Sequence, residues 1–272
     1  MLLFNSKKQL LQFLAEDIGK GDITSILLPK KKISVRIISR ENAIVAGVTH
    51  AKEIFKLKGC NAKILKKDGS IIKPNQTIMT ITGNAGKILT CERTALNLLS
   101  RMSGIATQTN QLVKKIPKKT KLYATRKTAP GLRYFDKEAV EIGGGKKHRL
   151  RLDEMVMIKD NHIAVDDSLI SIIKKAKKKY KKFEVEVDNT LDAILAAKEG
   201  VTIIMLDNFS PSQIKSTINV LKNQKLRNKV MLEASGGINS KNISKYGKTG
   251  VDIISVGSIT NSVRGIDLSL EI

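Results

Sequence analysis

The sequence predicts an α/β fold: a parallel strand–helix domain of barrel type in the carboxyl-terminal part, preceded by a mixed α/β region. Three observations carry this. From residue 120 onward, short apolar runs alternate with helical segments at least five times, the pattern of a parallel α/β domain. No G-x-G-x-x-G follows the first of these runs, which argues against a dinucleotide fold and for a barrel related to the (β/α)8 class. The residues at the ends of the runs are charged or small, as they are on the reactive face of such barrels.

The opening segment, "MLLFNSKKQLLQFLAEDIGKGD", carries charge throughout and lacks the apolar centre and small-residue cleavage site of a signal peptide. Its Leu10, Leu11 and Leu14 suit one face of an amphipathic helix. "ISVRIISRENAIVAG" reads as strand and "HAKEIFKLKG" as helix. "AKILKKDGSIIKPNQTIMTITG" reads as short strands, with Asp68-Gly69 as a hairpin turn. Leu89, Ala95, Leu96, Leu99 and Met102 then recur at helical spacing. In the second half "KLYAT" precedes a helix around "FDKEAVEI", and "MVMIK" precedes a lysine-rich helix. "FEVEV" precedes "TLDAILAAKEG", "TIIMLD" precedes "PSQIKSTINVLKNQ", "KVMLEAS" precedes "NISKYGKTG", and "DIISVG" closes the series.

Composition narrows the function classes. A chain of 272 residues with 41% hydrophobic content has enough apolar side chains for one large core or two. No apolar run is long enough for a membrane-spanning helix. The two cysteines, Cys60 and Cys91, have no metal-ligand spacing, so a reducing, cytoplasmic setting is expected. A net charge of +24 admits nucleic acid, an acidic membrane surface or an anionic substrate. Part of that charge has a plain origin. In "DSLISIIKKAKKKYKKF", Leu169, Ile172, Ile173, Ala176 and Tyr180 share one helical face and the lysines fall largely on the other, a solvated outer surface. With 4% aromatic residues and no Trp, a base-stacking platform is poorly supported. A nucleic-acid-binding protein is the alternative from a different class.

The strand ends assemble one candidate site. Arg126 and Lys127 follow "KLYAT", and Lys159 ends "MVMIK". Glu186 lies in "FEVEV", Asp207 ends "TIIMLD", Ser235-Gly236-Gly237 end "KVMLEAS", and Gly257 ends "DIISVG". Arginine grips carboxylates bidentately, whereas lysine acts as a point charge. Arg126, Arg149, Lys127 and Lys159 therefore suit a ligand with several carboxylates or phosphates. Glu186 and Asp207 suit a hard cation such as Mg²⁺, or ribose hydroxyls. The small residues suit a backbone phosphate cradle. A sugar-diphosphate substrate fits this set, and so does a sugar-phosphate aldolase or isomerase with a Schiff base on Lys159 or Lys127.

The motifs "ATRKTAPGLR", "GGGKKHRL", "MVMIKDNHI", "EVEVDN", "MLDNF" and "EASGGIN…TGVDIISVGSIT", with "EDIGKGDIT" and "CERTALNLLSRMSGIAT" nearer the start, resemble the quinolinate phosphoribosyltransferase family over nearly the whole chain. The resemblance implies an open, TIM-like α/β barrel over residues 106–264 and an N-terminal α/β sandwich domain over 1–105, to which 265–272 return. It implies transfer of phosphoribosyl from phosphoribosyl pyrophosphate to quinolinate with decarboxylation, giving nicotinate mononucleotide, pyrophosphate and CO2 for NAD biosynthesis. It implies Mg²⁺ and a homodimer with shared active sites, and leaves further assembly open. Carried over by position, Arg126, His148, Arg149 and Lys159 surround quinolinate, and Arg93 reaches in from the neighbouring subunit. Lys127, Glu186 and Asp207 take the catalytic places, Glu186 and Asp207 being the acidic pair near ribose and metal. Ser235, Gly236, Gly237 and Gly257 form the 5′-phosphate cradle.

Overall fold

The computed structural model describes residues 6–272, which fall into two compact units. The first comprises the chain up to Gln108 together with Glu138–Gly143 and Ser262–Ile272. Its elements are α1 (Ser6–Ile18), β1 (Lys32–Ser39), β2 (Ala43–Ile44), α2 (Val48–Leu57), β3 (Asn61–Ile64), β4 (Ile71–Ile72), β5 (Thr77–Asn84) and the long α3 (Ala85–Val113), whose last residues belong to the second unit. In the second unit come β6 (Lys121–Tyr123), α4 (Arg133–Ile142), β7 (Val156–Ile158), α5 (Asp160–Asp166), α6 (Leu169–Lys179), β8 (Phe183–Val187) and α7 (Thr190–Lys198). Helix α4 runs out of it at its carboxyl end. Then follow β9 (Ile203–Asp207), α8 (Pro211–Asn223), β10 (Met231–Ser235), α9 (Ile243–Gly247), β11 (Ile253–Ser255) and α10 (Ser258–Asn261). The closing strand β12 (Leu268–Glu271) pairs antiparallel with β1.

In the first unit the antiparallel order is β12-β1-β5-β3, with β2 and β4 as a separate pair. Along β1, Val35 and Ile37 are buried and Arg36 is exposed, the alternation of a sheet with one covered face. Leu10 and Leu14 of α1 are buried, as are Ile54 and Phe55 of α2 and Ile88, Ala95 and Leu99 of α3. Leu11 is 47% exposed, so the apolar face of α1 is narrower than its leucine spacing suggests. The Asp68-Gly69 hairpin does not form, because β3 pairs with β5 and β4 with β2. The turn itself is present, with Gly69 at φ 86°. Its acid is engaged elsewhere, since Asp68 Oδ1 accepts the N–H groups of Gly47 (2.6 Å) and Val48 (3.0 Å) at the start of α2. These donors have no partner inside the helix, so helix capping takes the place of a hairpin.

The second unit is a six-stranded parallel sheet in the order β6-β11-β10-β9-β8-β7. Beyond β6 a single parallel bridge, Tyr123 to Lys146, adds one further segment. Among the described residues no backbone ladder joins that segment to β7. Residues 147–155 form no strand, and His148 sits in the left-handed region at φ 50°. The barrel is therefore open on this side, where Arg149 Nη1 donates to Met155 O across 2.9 Å. Ser168, Asn189 and Ser210 cap α6, α7 and α8, each accepting from the N–H three residues on. The lysines of α6 are exposed, while Leu169 and Ile173 are buried.

Candidate active site

Parallel pairing puts the carboxyl ends of the strands on one face, and the period of two selects which side chains turn inward. The register sets Glu186 beside Met205 and Asp207 beside Ser235. One cavity of about 370 Å³ opens there, lined by Arg126, Lys127, His148, Arg149, Lys159, Glu186, Asp207 and Ser235 together with Thr125, Met157, Met205, Glu233 and Ser255. Eight of the residues that sequence reasoning selected thus meet in one place. Gly236, Gly237 and Gly257 are not lining residues, but stand directly after β10 and two residues after β11. A Cβ on Gly257 would lie 3.1 Å from Lys127 Cδ, so the glycine admits the lysine stem. Arg93 lies on α3, in the first unit, with an exposed side chain.

The cationic wall is partly unsatisfied. Arg126 Nε is buried and has no acceptor among the described residues, a donor left for something that enters the cavity. Burial and then the neighbouring Arg126 lower the pKa of Arg149. Two guanidinium groups that repel each other beside an open cavity favour a ligand with more than one negative charge. Lys127 is set by its surroundings: its N–H donates to Thr125 Oγ1 (3.1 Å), and its carbonyl accepts from Thr260 Oγ1 (2.8 Å). Lys159 ion-pairs with Glu186 Oε2, so the free protein neutralises these two charges against each other.

The acidic side is held by an asparagine. Asn208 adopts φ 57° and donates its amide to Asp207 Oδ2 (2.6 Å), while its N–H donates to Ser235 O (2.9 Å). Asp207 and Glu186 are hard oxygen donors on neighbouring strands. That chemistry fits Mg²⁺, an ion that keeps several waters and takes its other ligands from substrate phosphates.

Sequence reasoning missed the floor. Glu184 and Glu233 are fully buried, and none of their carboxylate oxygens has a hydrogen-bond partner among the described residues. The signal was present: Glu184 is two residues before Glu186 on β8, and Glu233 two before Ser235 on β10, so each pair shares a face. His148 Nε2 is 3.1 Å from Glu184 and 3.7 Å from Glu233. Burial opposes a charged ring, but the two carboxylates outweigh it and hold the proton. Burial, reinforced by Glu233, pushes the Glu184 carboxyl up. The three groups have the composition of a metal site, with ligand atoms within 4.8 Å of one another. However, the Arg149 N–H donates to His148 Nδ1 at 2.8 Å. That bond needs the neutral ring with its proton on Nε2, toward the acids; when the acids hold a second proton on the ring both nitrogens are donors, and in neither form does Nε2 offer a metal its lone pair. The cluster is a buried, charge-paired floor in which His148 Nε2 lies against both acids without an aligned hydrogen bond to either.

Comparison with known proteins bears on what this site serves. The family model for the C-terminal domain of quinolinate phosphoribosyl transferase matches residues 105–271, and that for its N-terminal domain matches 22–103. The chain belongs to the quinolinate phosphoribosyl transferase family. A probable nicotinate-nucleotide pyrophosphorylase (carboxylating) of Archaeoglobus fulgidus is 44% identical, over 93% of this chain and 98% of its own length. A protein of the same name from Methanocaldococcus jannaschii is 43% identical, over 100% and 99%. Among solved structures, the nicotinate-nucleotide pyrophosphorylase of Ehrlichia chaffeensis superposes with a TM-score of 0.93 at 38% identity, covering 100% of this chain and 99% of that one. The N-terminal match spans β1 to β5, and the C-terminal match spans the whole parallel sheet together with β12.

Proposed function

We infer that the chain is a carboxylating nicotinate-nucleotide pyrophosphorylase. It transfers phosphoribosyl from phosphoribosyl pyrophosphate to the ring nitrogen of quinolinate, releasing pyrophosphate and, from the 2-carboxylate, CO2. The observation that carries this reading is the cavity's guanidinium pair, one member with an unpartnered buried donor, in the same cavity as an acidic pair.

The residues divide the work by charge. Arg126 and Arg149 take the two carboxylates, and Lys159 leaves Glu186 to join them when the dianion arrives. His148, held by the Arg149 N–H at Nδ1 and set against Glu184 at Nε2, shapes the wall through its backbone and ring. Ser235, Gly236, Gly237 and Gly257 receive the 5′-phosphate, with Lys127 beside it. The bond from the anomeric carbon to pyrophosphate breaks and the bond to the pyridine nitrogen forms. Glu186 and Asp207 face the cationic ribose that develops between these events, and stabilise it electrostatically. The pyridine nitrogen is the nucleophile, so no protein nucleophile is required. Ribosylation makes that nitrogen positive, and the electron pair left by departing CO2 is then stabilised next to it until a proton takes its place. Glu186 and Asp207 would hold Mg²⁺, which would supply charge neutralisation for the pyrophosphate leaving group.

The assembly belongs to the same reading. Two copies form a homodimer in which Arg93 of each serves the barrel cavity of the other, in the cytoplasm. No helix among the described residues is long and apolar enough to cross a membrane. Nicotinate lacks the 2-carboxylate and leaves a buried cationic group without its partner, so it is expected to be a very poor substrate. Comparable turnover of nicotinate and quinolinate would overturn the carboxylating assignment.

A further inference from the structure

Helix α4 begins with two cations one turn apart, Arg133 and Lys137, a spacing that sets side chains on one helix face. The side chain of Lys137 is fully buried. Its Nζ donates to Arg149 O at 2.7 Å and also to Lys147 O, the carbonyls on either side of His148. Arg133 Nη1 donates to Leu150 O (3.1 Å), and its Nε donates to Thr128 Oγ1 (3.3 Å). One helix face therefore holds three carbonyls of the irregular segment that carries His148 and Arg149. Through Thr128 it also holds the segment that carries Arg126 and Lys127.

The arrangement is unfavourable by itself. Among the described residues no carboxylate ion-pairs with Lys137. Burial lowers its pKa to about 8; Arg133, Arg126 and Arg149 act in the same direction and Glu154 opposes them. An apolar side chain in a well-packed core avoids such desolvation. The return for burying a cation here is the fixed backbone path: carbonyls 147, 149 and 150 have no sheet partner to hold them, since β7 and the Lys146 segment are not joined by a ladder.

We propose that Arg133 and Lys137 are positioning residues for substrate selection: they fix the 147–150 segment across the barrel opening so that Arg149 and Arg126 face a planar aromatic dicarboxylate at the right separation. This rests on the reading of Arg126 and Arg149 as the dicarboxylate's ligands. Neither clamp residue lines the cavity, so their removal acts on the geometry of the guanidinium pair, while Lys127 stays held by Thr125 and Thr260.

The test is a split between the two substrates. Lys137→Met and Arg133→Gln are expected to raise KM for quinolinate roughly tenfold or more, the scale of a lost charge-assisted hydrogen bond. KM for phosphoribosyl pyrophosphate is expected to change by less than about twofold, since Lys127 on that side keeps its own bonds to Thr125 and Thr260 when the clamp bonds are lost. Arg133→Lys should recover part of the loss seen in Arg133→Gln, because it restores a donor to Leu150 O without the fork. If Lys137→Met does not fold, Arg133→Gln reads the same split at a half-buried site. A wild-type quinolinate KM in the folded variants, or equal changes in both KM values, would overturn the proposal. Arg149→Ala, measured alongside by equilibrium binding of quinolinate, separates the two claims. If it loses binding while the clamp variants do not, only the clamp fails. If it binds normally, the ligand assignment beneath the clamp fails.

Discussion

Two adjacent glycines permit a controlled perturbation of the acidic side. Gly236 lies at φ 90°, and a Cβ built on it would sit 2.2 Å from Asn208 Oδ1 and 2.7 Å from the Asn208 backbone N. Gly237 lies at φ 59°, with nothing within 4 Å of its Cβ. Gly237→Ala therefore carries only the conformational penalty of a left-handed residue, about 1–2 kcal/mol. Gly236→Ala adds an overlap with backbone that cannot rotate away, about 1–3 kcal/mol more. Asn208 must move, and with it the amide that donates to Asp207 Oδ2 at 2.6 Å. The expected result is a lower thermal midpoint for Gly236→Ala than for Gly237→Ala by roughly 2–10 °C, at a few degrees per kcal/mol for a chain of this size. Turnover at saturating substrates should fall at least roughly tenfold in Gly236→Ala, the effect of displacing one electrostatic stabiliser. Differential scanning calorimetry and steady-state kinetics on both variants decide this. Equal midpoints and equal turnover would refute the reasoning from Asn208.

Further expectations concern the charged groups. Arg149→Lys keeps the charge but loses the planar fork, so kcat/KM should fall by roughly tenfold or more; unchanged kinetics in a folded variant would remove Arg149 from the dicarboxylate wall. Glu186→Gln and Asp207→Asn should lower kcat more than they weaken equilibrium binding of quinolinate, since the developing positive charge is on the ribose; normal saturated turnover with lost quinolinate binding would reverse these roles. Arg93→Ala and Arg126→Ala dimers should each be nearly inactive, and refolding them together should restore roughly a quarter of wild-type activity through mixed dimers with one intact site; no recovery, with mixed dimers demonstrated by mass, would remove the shared arginine. Lys137 titrates near 8 in the folded chain against an ordinary 10.5. The unfolded chain thus binds more protons between these values, and this group's contribution to stability rises with pH across that window. Wild type should gain on the order of 3 kcal/mol relative to Lys137→Met on going from pH 7.5 to 10.5; parallel pH profiles in denaturant unfolding would contradict the buried, charged state assigned to Lys137.

The alternation of "FEVEV", "TIIMLD" and "KVMLEAS" with helical segments made the parallel sheet legible, because buried parallel strands are apolar runs and their ends are where polarity returns. The same logic reached Lys159, Glu186, Asp207 and Ser235, each at or near a strand's carboxyl end. It stopped short of Glu184 and Glu233, because each stands two residues before the position at or near the strand's end where the reading looked for reactive groups. Lys137 was hidden for a related reason: a lysine in a charged helix looks solvated, and only the carbonyls of residues 147 and 149 show where it goes. Asp68 was misplaced because Asp-Gly signals a hairpin locally, whereas the choice between hairpin and helix cap depends on strands far away in the chain.

The most direct test of the central claim follows the fate of the 2-carboxylate that we assign to the arginine pair. Purified protein would be given phosphoribosyl pyrophosphate, Mg²⁺ and quinolinate carrying a carbon label in its 2-carboxylate, with nicotinate mononucleotide and labelled CO2 both quantified. The account predicts one labelled CO2 for each mononucleotide formed, and loss of both products together in Arg126→Ala. Mononucleotide without equivalent labelled CO2, or no transfer to quinolinate at all, would contradict it.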